Sequence, residues 1–189
     1  MSFHNMGMVF FYKNRRFFLS ILPLVFIAGM AFFLLKGLAL DPHAIPSVLI
    51  GKSAPEFALP DLFEPHKLIN NQWFRNEKRQ WHLVNFWSSW CRACRNENPV
   101  LLELARQGVS VIGIDYKDDP KKAQKWLSHY ANPYQQVLLD ANGLSAERWG
   151  VYGTPETFLV DPDGIVRYKN IGPMTLKIWR DYCLPLMQS

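Results

Sequence analysis

The sequence predicts an α/β fold in which a parallel sheet is completed by an antiparallel hairpin. Three observations predict it. Two near-continuous apolar runs, Trp81 to Trp87 and Val109 to Ile114, have the composition of strands buried on both faces. Amphipathic stretches with helix start and stop signals lie between and after them. Asp161-Pro162-Asp163-Gly164 separates two further apolar runs, as a hairpin turn does.

The first element is not part of that fold. Phe17 to Leu35 is nineteen residues without a charge. As a helix rising about 1.5 Å per residue it spans roughly 28 Å, close to the hydrocarbon thickness of a bilayer. Pro23 and Gly29 interrupt it, and membrane helices tolerate both. Lys13, Arg15 and Arg16 precede it and Lys36 follows. The expected organisation is a cytoplasmic N-terminus over 1–16, a transmembrane anchor over 17–36, a linker over 37–53 carrying Pro42, Pro46 and Gly51, and an exported domain over 54–189. The alternative is a cleaved signal peptide. The apolar run exceeds the usual signal core of about 7–15 residues, and Gly37-Leu38-Ala39 is a poor cleavage site.

Within the domain, Phe57 to Pro60 and Lys67 to Ile69 are short strands around the turn-rich Asp61–Pro65. The strand ending at Trp87 leads into a helix over 92–106, with Leu101, Leu102 and Ala105 on its apolar face, Pro99 bending it and Gly108 ending it. After the strand at Val109–Ile114, Asp119-Pro120 opens a helix with an acidic cap and Pro at the first helical position. Gln136–Leu139 is a strand, Leu144–Trp149 a short helix, Thr157–Val160 and Ile165–Tyr168 the hairpin, and Met174–Met187 a terminal helix.

Four of the five units of net positive charge belong to the anchor region. The first forty residues hold four Lys/Arg and no Asp/Glu, which leaves 17 Lys/Arg against 16 Asp/Glu in the rest. A domain that close to neutral carries no nucleic-acid footprint.

The chemistry is concentrated in Trp90-Cys91-Arg92-Ala93-Cys94, where a strand gives way to a helix. Unpaired N–H groups and the helix dipole at that N-terminus favour a thiolate at Cys91. Cys94, one turn on, is placed to resolve a mixed disulfide. Half a zinc site is the competing reading. Zinc needs about four ligands, and the chain offers only Cys183 and the scattered His66, His82 and His129, so no metal is expected. Cys183 reads as a semi-buried apolar residue, with intermolecular pairing as its alternative. Trp87 reads as core and Trp90 as the rim of the site.

At these residues the chain resembles the thioredoxin superfamily. More narrowly, it is similar to the membrane-anchored thiol:disulfide interchange proteins of cytochrome c biogenesis, the CcmG/DsbE type. The resemblance runs from Ile50 to Gly172. It is carried by Leu49 to Pro55, Val84-Asn85-Phe86-Trp87, Trp90 to Arg95, Tyr116-Lys117-Asp118-Asp119, and Gly150 to Phe158. The departure is inside the motif, where Arg92-Ala93 replaces the common Pro-Thr type of pair. A cation beside Cys91 further favours its thiolate.

The resemblance implies a thioredoxin-like fold with an N-terminal β extension, preceded by a single transmembrane helix in the bacterial inner membrane, with the domain in the periplasm. It implies a redox-active Cys91–Cys94 disulfide and no other cofactor. It also implies a reductant of apocytochrome c, or of a maturation factor bonded to it, recharged by a membrane thiol reductant of the DsbD type. The alternatives are a general periplasmic disulfide reductase or oxidase, and a non-catalytic chaperone that binds apocytochrome.

Pro155, Glu97 and Glu156 carry over from the resemblance. Pro155, on its own an ordinary turn proline, matches the cis-proline, beside which Thr154 backbone groups meet an extended substrate. Glu97 matches an acid that relays a proton to Cys94 and tunes it; on spacing alone it reads equally as a solvated helix acid. Glu156 and Tyr152 are expected to contact a partner.

Overall fold

The computed structural model describes residues 22–36, 47–73 and 80–188. The chain divides into two units, Met1–Ala44 and Ile45–Ser189.

In the first unit, residues 22–36 are helical and every one is exposed. Among the described residues no helix is long and apolar enough to cross a membrane. Residues 1–16, 17–21 of the expected span and 37–46 of the expected linker lie outside the described residues.

The second unit is built on a five-stranded sheet. Its strands are β3 (His82–Trp87), β4 (Ser110–Tyr116), β5 (Gln136–Asp140), β6 (Glu156–Val160) and β7 (Val166–Ile171), in the order β5-β4-β3-β6-β7. β3, β4 and β5 run parallel, and β6 and β7 are antiparallel additions. All six residues of β3 are buried, as a central strand with both faces covered requires. The period of two along the strands makes two cores. Leu83 and Trp87 face one, with Leu101, Leu104, Trp126 and Tyr134. Val84 and Phe86 face the other, with Ile112, Ile114, Trp149 and Phe158.

The parallel pairs need crossovers, and helices supply them. α1 (Arg92–Arg106) joins β3 to β4 and contains Pro99 without breaking. Gly108 follows its end at φ 87°, a left-handed position that glycine adopts at little cost. α2 (Pro120–Tyr130) starts where Asp119 accepts from the N–H groups of Lys121 and Lys122. α3 (Leu144–Arg148) leads toward β6. In the β6–β7 turn, Asp161 accepts from the N–H groups of Asp163 and Ile165, and Gly164 takes φ 80°.

Two expectations are corrected. The linker does not extend to Ser53. Gly51 donates to the Val166 carbonyl at 2.8 Å, Val166 donates to Lys52 at 2.9 Å, and Ser53 bridges Ile165, so 47–53 is already tied to the β7 end of the sheet. An exposed sheet edge offers unpaired backbone groups, and this segment takes them up. The β extension follows as β1 (Ala58–Pro60) paired with β2 (Leu68–Asn70).

The terminal helix is also not one element. It is α4 (Leu176–Ile178), a π-helical turn over Trp179–Cys183 and α5 (Leu184–Gln188). Pro185 has no N–H, and its ring crowds the carbonyl four residues back. The wider turn accommodates it, with the Leu184 N–H reaching Trp179 five residues back.

Candidate active site

Cys91 is the N-cap of α1 and is disulfide-bonded to Cys94, with 5.4 Å between their Cα atoms. Cys91 Sγ accepts the backbone N–H of Cys94 at 3.0 Å. An N–H aimed at sulfur at a helix N-terminus stabilises the thiolate released on reduction. Cys91 is 6% exposed and Cys94 2%, so the first sulfur is the accessible one. Arg92 is exposed beside it, and Trp90, at 59% exposure, forms the rim.

Glu97 lies three residues beyond Cys94 on the buried side of α1. Its carboxylate accepts from Asn85 Nδ2 at 2.9 Å and from the Met174 N–H at 2.7 Å. Burial pushes its pKa up from 4.5 to about 7, against the opposing pull of the Met174 and Asn85 hydrogen bonds. Asn85 also donates to Thr157 Oγ1 and accepts from the Tyr134 hydroxyl at 2.9 Å. Tyr134 itself is pushed well above its ordinary value by burial and then by the charges of Glu97 and Asp115. Glu97 thus ends a buried polar chain that crosses from the sheet to α1.

The Thr154–Pro155 peptide bond is cis. β6 starts at the next residue, Glu156, which pairs with Phe86 of β3. The proline therefore sits level with Trp87, and the Pro155 loop and the Ser88–Cys91 turn leave adjacent strands at the same end of the sheet. Thr154 is half-buried and Tyr152 is 81% exposed.

Glu156, expected to meet a partner, is corrected to an internal role. It is buried, and its Oε1 accepts from the Tyr152 and Gly153 N–H groups at 2.7 and 3.2 Å. Its Oε2 is 2.8 Å from Lys169 Nζ, which also donates to the Gly150 carbonyl at 2.7 Å. Lys169 further lies 4.8 Å from the Tyr152 ring centroid. The carboxylate shapes the loop that presents Tyr152 and Thr154. Sequence reasoning missed Lys169; its position opposite Phe158 in the β6–β7 register is what brings it inward.

It also missed Asp115, because the expected strand, Val109–Ile114, stops two residues short. β4 runs on to Tyr116, and Asp115 is fully buried on it. Cys183 is fully buried too, and burial pushes its thiol up to about 12, which removes it from thiol chemistry. Among the described residues no group of His, Cys, Asp or Glu is arranged to hold a metal ion.

A thioredoxin-like sheet with a CxxC disulfide at a helix N-terminus and a cis-proline beside it defines a thiol:disulfide oxidoreductase. Comparison with known proteins narrows the class. The AhpC/TSA family matches residues 50–169. The chain is 44% identical over 169 residues to the thiol:disulfide interchange protein DsbE of Pseudomonas aeruginosa, covering 89% of this chain and 92% of that one. It is 38% identical over 174 residues to the DsbE of Escherichia coli K12, covering 89% and 93%. Its fold is shared with a secreted thiol-disulfide isomerase from Corynebacterium glutamicum, with a TM-score of 0.62 at 24% identity over 72% of this chain and 86% of that one. The chain belongs to the AhpC/TSA family and, within it, to the DsbE thiol:disulfide interchange proteins.

Proposed function

We propose that the protein is a membrane-anchored periplasmic reductant that reduces disulfides of apocytochrome c, or of a maturation factor bonded to it, during c-type cytochrome biogenesis. The observation that carries the redox step is the Cys94 N–H directed at Cys91 Sγ at the start of α1. The Cys91 thiolate attacks one sulfur of the partner's disulfide, and the other sulfur leaves as a thiolate. Cys94 then attacks Cys91 Sγ and expels the partner's second thiolate. The partner gains two electrons, and Cys91 and Cys94 are left as the disulfide.

Cys94 must lose a proton for the second step. Glu97, one helical turn away with its pKa raised by burial to about 7, is the acceptor; poised near neutral pH, its carboxylate can take that proton and return it when the dithiol is restored. A membrane thiol reductant of the DsbD type restores it by the same exchange in reverse. The exposed Trp90 and Tyr152 and the half-buried Thr154 flank the partner's chain, which lies extended beside Pro155.

Anchoring is supported by the uncharged stretch Phe17–Leu35 and by the helix over residues 22–36, whose side chains are all exposed. Tethering the domain beside membrane partners raises their effective concentration.

Replacing Cys94 by Ala removes the resolving thiol and traps the covalent intermediate. Cells producing the full chain with Cys94→Ala are expected to yield a disulfide adduct containing a cytochrome c polypeptide or a maturation factor. Adducts made only of unrelated secreted proteins would replace this reading with that of a general reductase.

A further inference from the structure

The alternation along β4 turns Asp115 to the sheet face that carries Trp87 and Asn85, level with Trp87 in the β3–β4 register. Both its oxygens are buried, and neither meets an N–H or O–H donor among the described residues. Nor does any described cation form an ion pair with it. What it meets is the Asp118 carboxyl.

Asp118 grips the catalytic turn. Its Oδ2 accepts the backbone N–H of Ser89, and its Oδ1 accepts the Ser89 hydroxyl at 2.9 Å and the Asp119 N–H at 2.7 Å. On either side, the Ser88 hydroxyl donates to the Tyr116 carbonyl at 2.8 Å, and the Trp90 indole N–H donates to the Lys117 carbonyl at 3.3 Å. The loop after β4 therefore holds three consecutive residues, Ser88, Ser89 and Trp90, immediately before Cys91. Lys117 sits between the two acids at φ 47°, a left-handed conformation unusual for a residue with a side chain.

We propose that Asp115 and Asp118 share one proton, and that this acid–carboxylate pair is a positioning device that holds the Ser88–Trp90 turn, and through it Cys91, until the proton is lost. The proposal rests on the thiol–disulfide reading of the site and is independent of who the partner is.

The groups around Asp115 support it. On its own loop these are Asp118 and Lys117, and the Lys117 ammonium lies 5.1 Å from the Tyr116 ring centroid. From the segment after α2 comes the Tyr134 phenol, and across it from α1 comes Glu97. The turn after β3 carries the uncharged Ser88 and Ser89 and ends at Cys91, which is bonded to Cys94. Burial first, and then the Asp118 charge and hydrogen bond, push Asp115 up from 3.8 to about 8. Below that pH the Asp115 acid donates to Asp118. Above it two adjacent carboxylates repel. Asp115 is fixed in a strand, so the displaced partner is Asp118, with its hold on Ser89.

The test uses the purified full chain labelled with 15N and 13C. The Asp115 carboxyl carbon and the Trp90 indole N–H are followed by NMR from pH 6 to 10. Both are expected to shift together with a midpoint near 8. The rate of Cys91 attack on a small disulfide, corrected for its thiolate fraction, is expected to fall several-fold through the same midpoint. In Asp115→Asn, whose amide donates to Asp118 at every pH, both the indole step and the rate step should vanish. Asp118→Asn should lower the corrected rate already at pH 7. An Asp115 carboxyl that titrates in the ordinary aspartate range overturns the proposal without any variant. So does an alkaline step that survives in Asp115→Asn. Failure to trap a cytochrome partner would leave these results unaffected.

Discussion

Two loops leave the same end of the sheet, and a carboxylate holds each of them. The loop before Pro155 is held by Glu156, whose charge is matched by Lys169 at 2.8 Å. The turn before Cys91 is gripped by Asp118, and the buried acids of β4 and α1, Asp115 and Glu97, form no ion pair with a described cation. Matching a buried acid with a cation fixes a shape. Leaving it unmatched moves its titration to about 7 for Glu97 and about 8 for Asp115, where protons are exchanged during thiol chemistry. The same residue type is thus ion-paired on one side of the active face and unmatched on the other.

The largest effect is expected on the ion-paired side. Lys169→Met strands Glu156 as a lone buried charge, and removing one partner of a buried pair costs about 3–5 kcal/mol. A urea melt should show that loss. The double variant Glu156→Gln/Lys169→Met should recover most of it, and no recovery would mean that the pair is not what holds the loop.

On the unmatched side the larger effect is kinetic. Glu97→Gln cannot take the Cys94 proton, and general acid–base groups contribute about 10²-fold or more. Single-turnover kinetics should show slow resolution of the mixed disulfide with the first attack by Cys91 little changed. Equal slowing of both steps would assign Glu97 a packing role only.

The equilibrium effect is smaller and has a definite sign. Glu97 has a raised folded pKa, so the folded chain keeps a proton that the unfolded chain has lost. Its contribution to stability is complete below about 4.5 and is lost as pH rises through about 7. Thermal melts of the oxidised protein between pH 5 and 9 should fall with pH in the native chain and fall less in Glu97→Gln. Parallel curves would remove Glu97 from the group of titrating acids.

The smallest effect is a control. Asp119→Ala deletes the cap of α2 at a cost of about 1 kcal/mol. Because Asp118 and not Asp119 grips Ser89, the pH profile of Cys91 should not move.

The parts legible in the sequence are those with local causes. α1 and α2 follow from a cap, an apolar face and a stop, and their bounds Arg92–Arg106 and Pro120–Tyr130 agree with those signals. The Cys91–Cys94 pairing and the cis bond at Pro155 agree with what the family resemblance implied. The parts that were not legible depend on contacts distant in the chain. Glu156 is inward because Lys169 on β7 meets it, and nothing near either residue in sequence says so. Asp115 falls just past the expected strand Val109–Ile114, and only the β3–β4 register places it beside Trp87. A single terminal helix over Met174–Met187 gives no weight to Pro185, and the π turn over Trp179–Cys183 is the local answer to that proline.

The central claim is that Cys91 attacks as a thiolate stabilised at the start of α1. Alkylation of the reduced full chain by iodoacetamide across pH, with each cysteine followed by peptide mass, tests it most directly. Cys91 should react first, with an apparent pKa well below the value of about 8.5 for a free thiol, while Cys94 reacts later and Cys183 stays unmodified until the chain unfolds. Reaction of Cys94 before Cys91, or of Cys91 with an ordinary thiol pKa, would contradict the account.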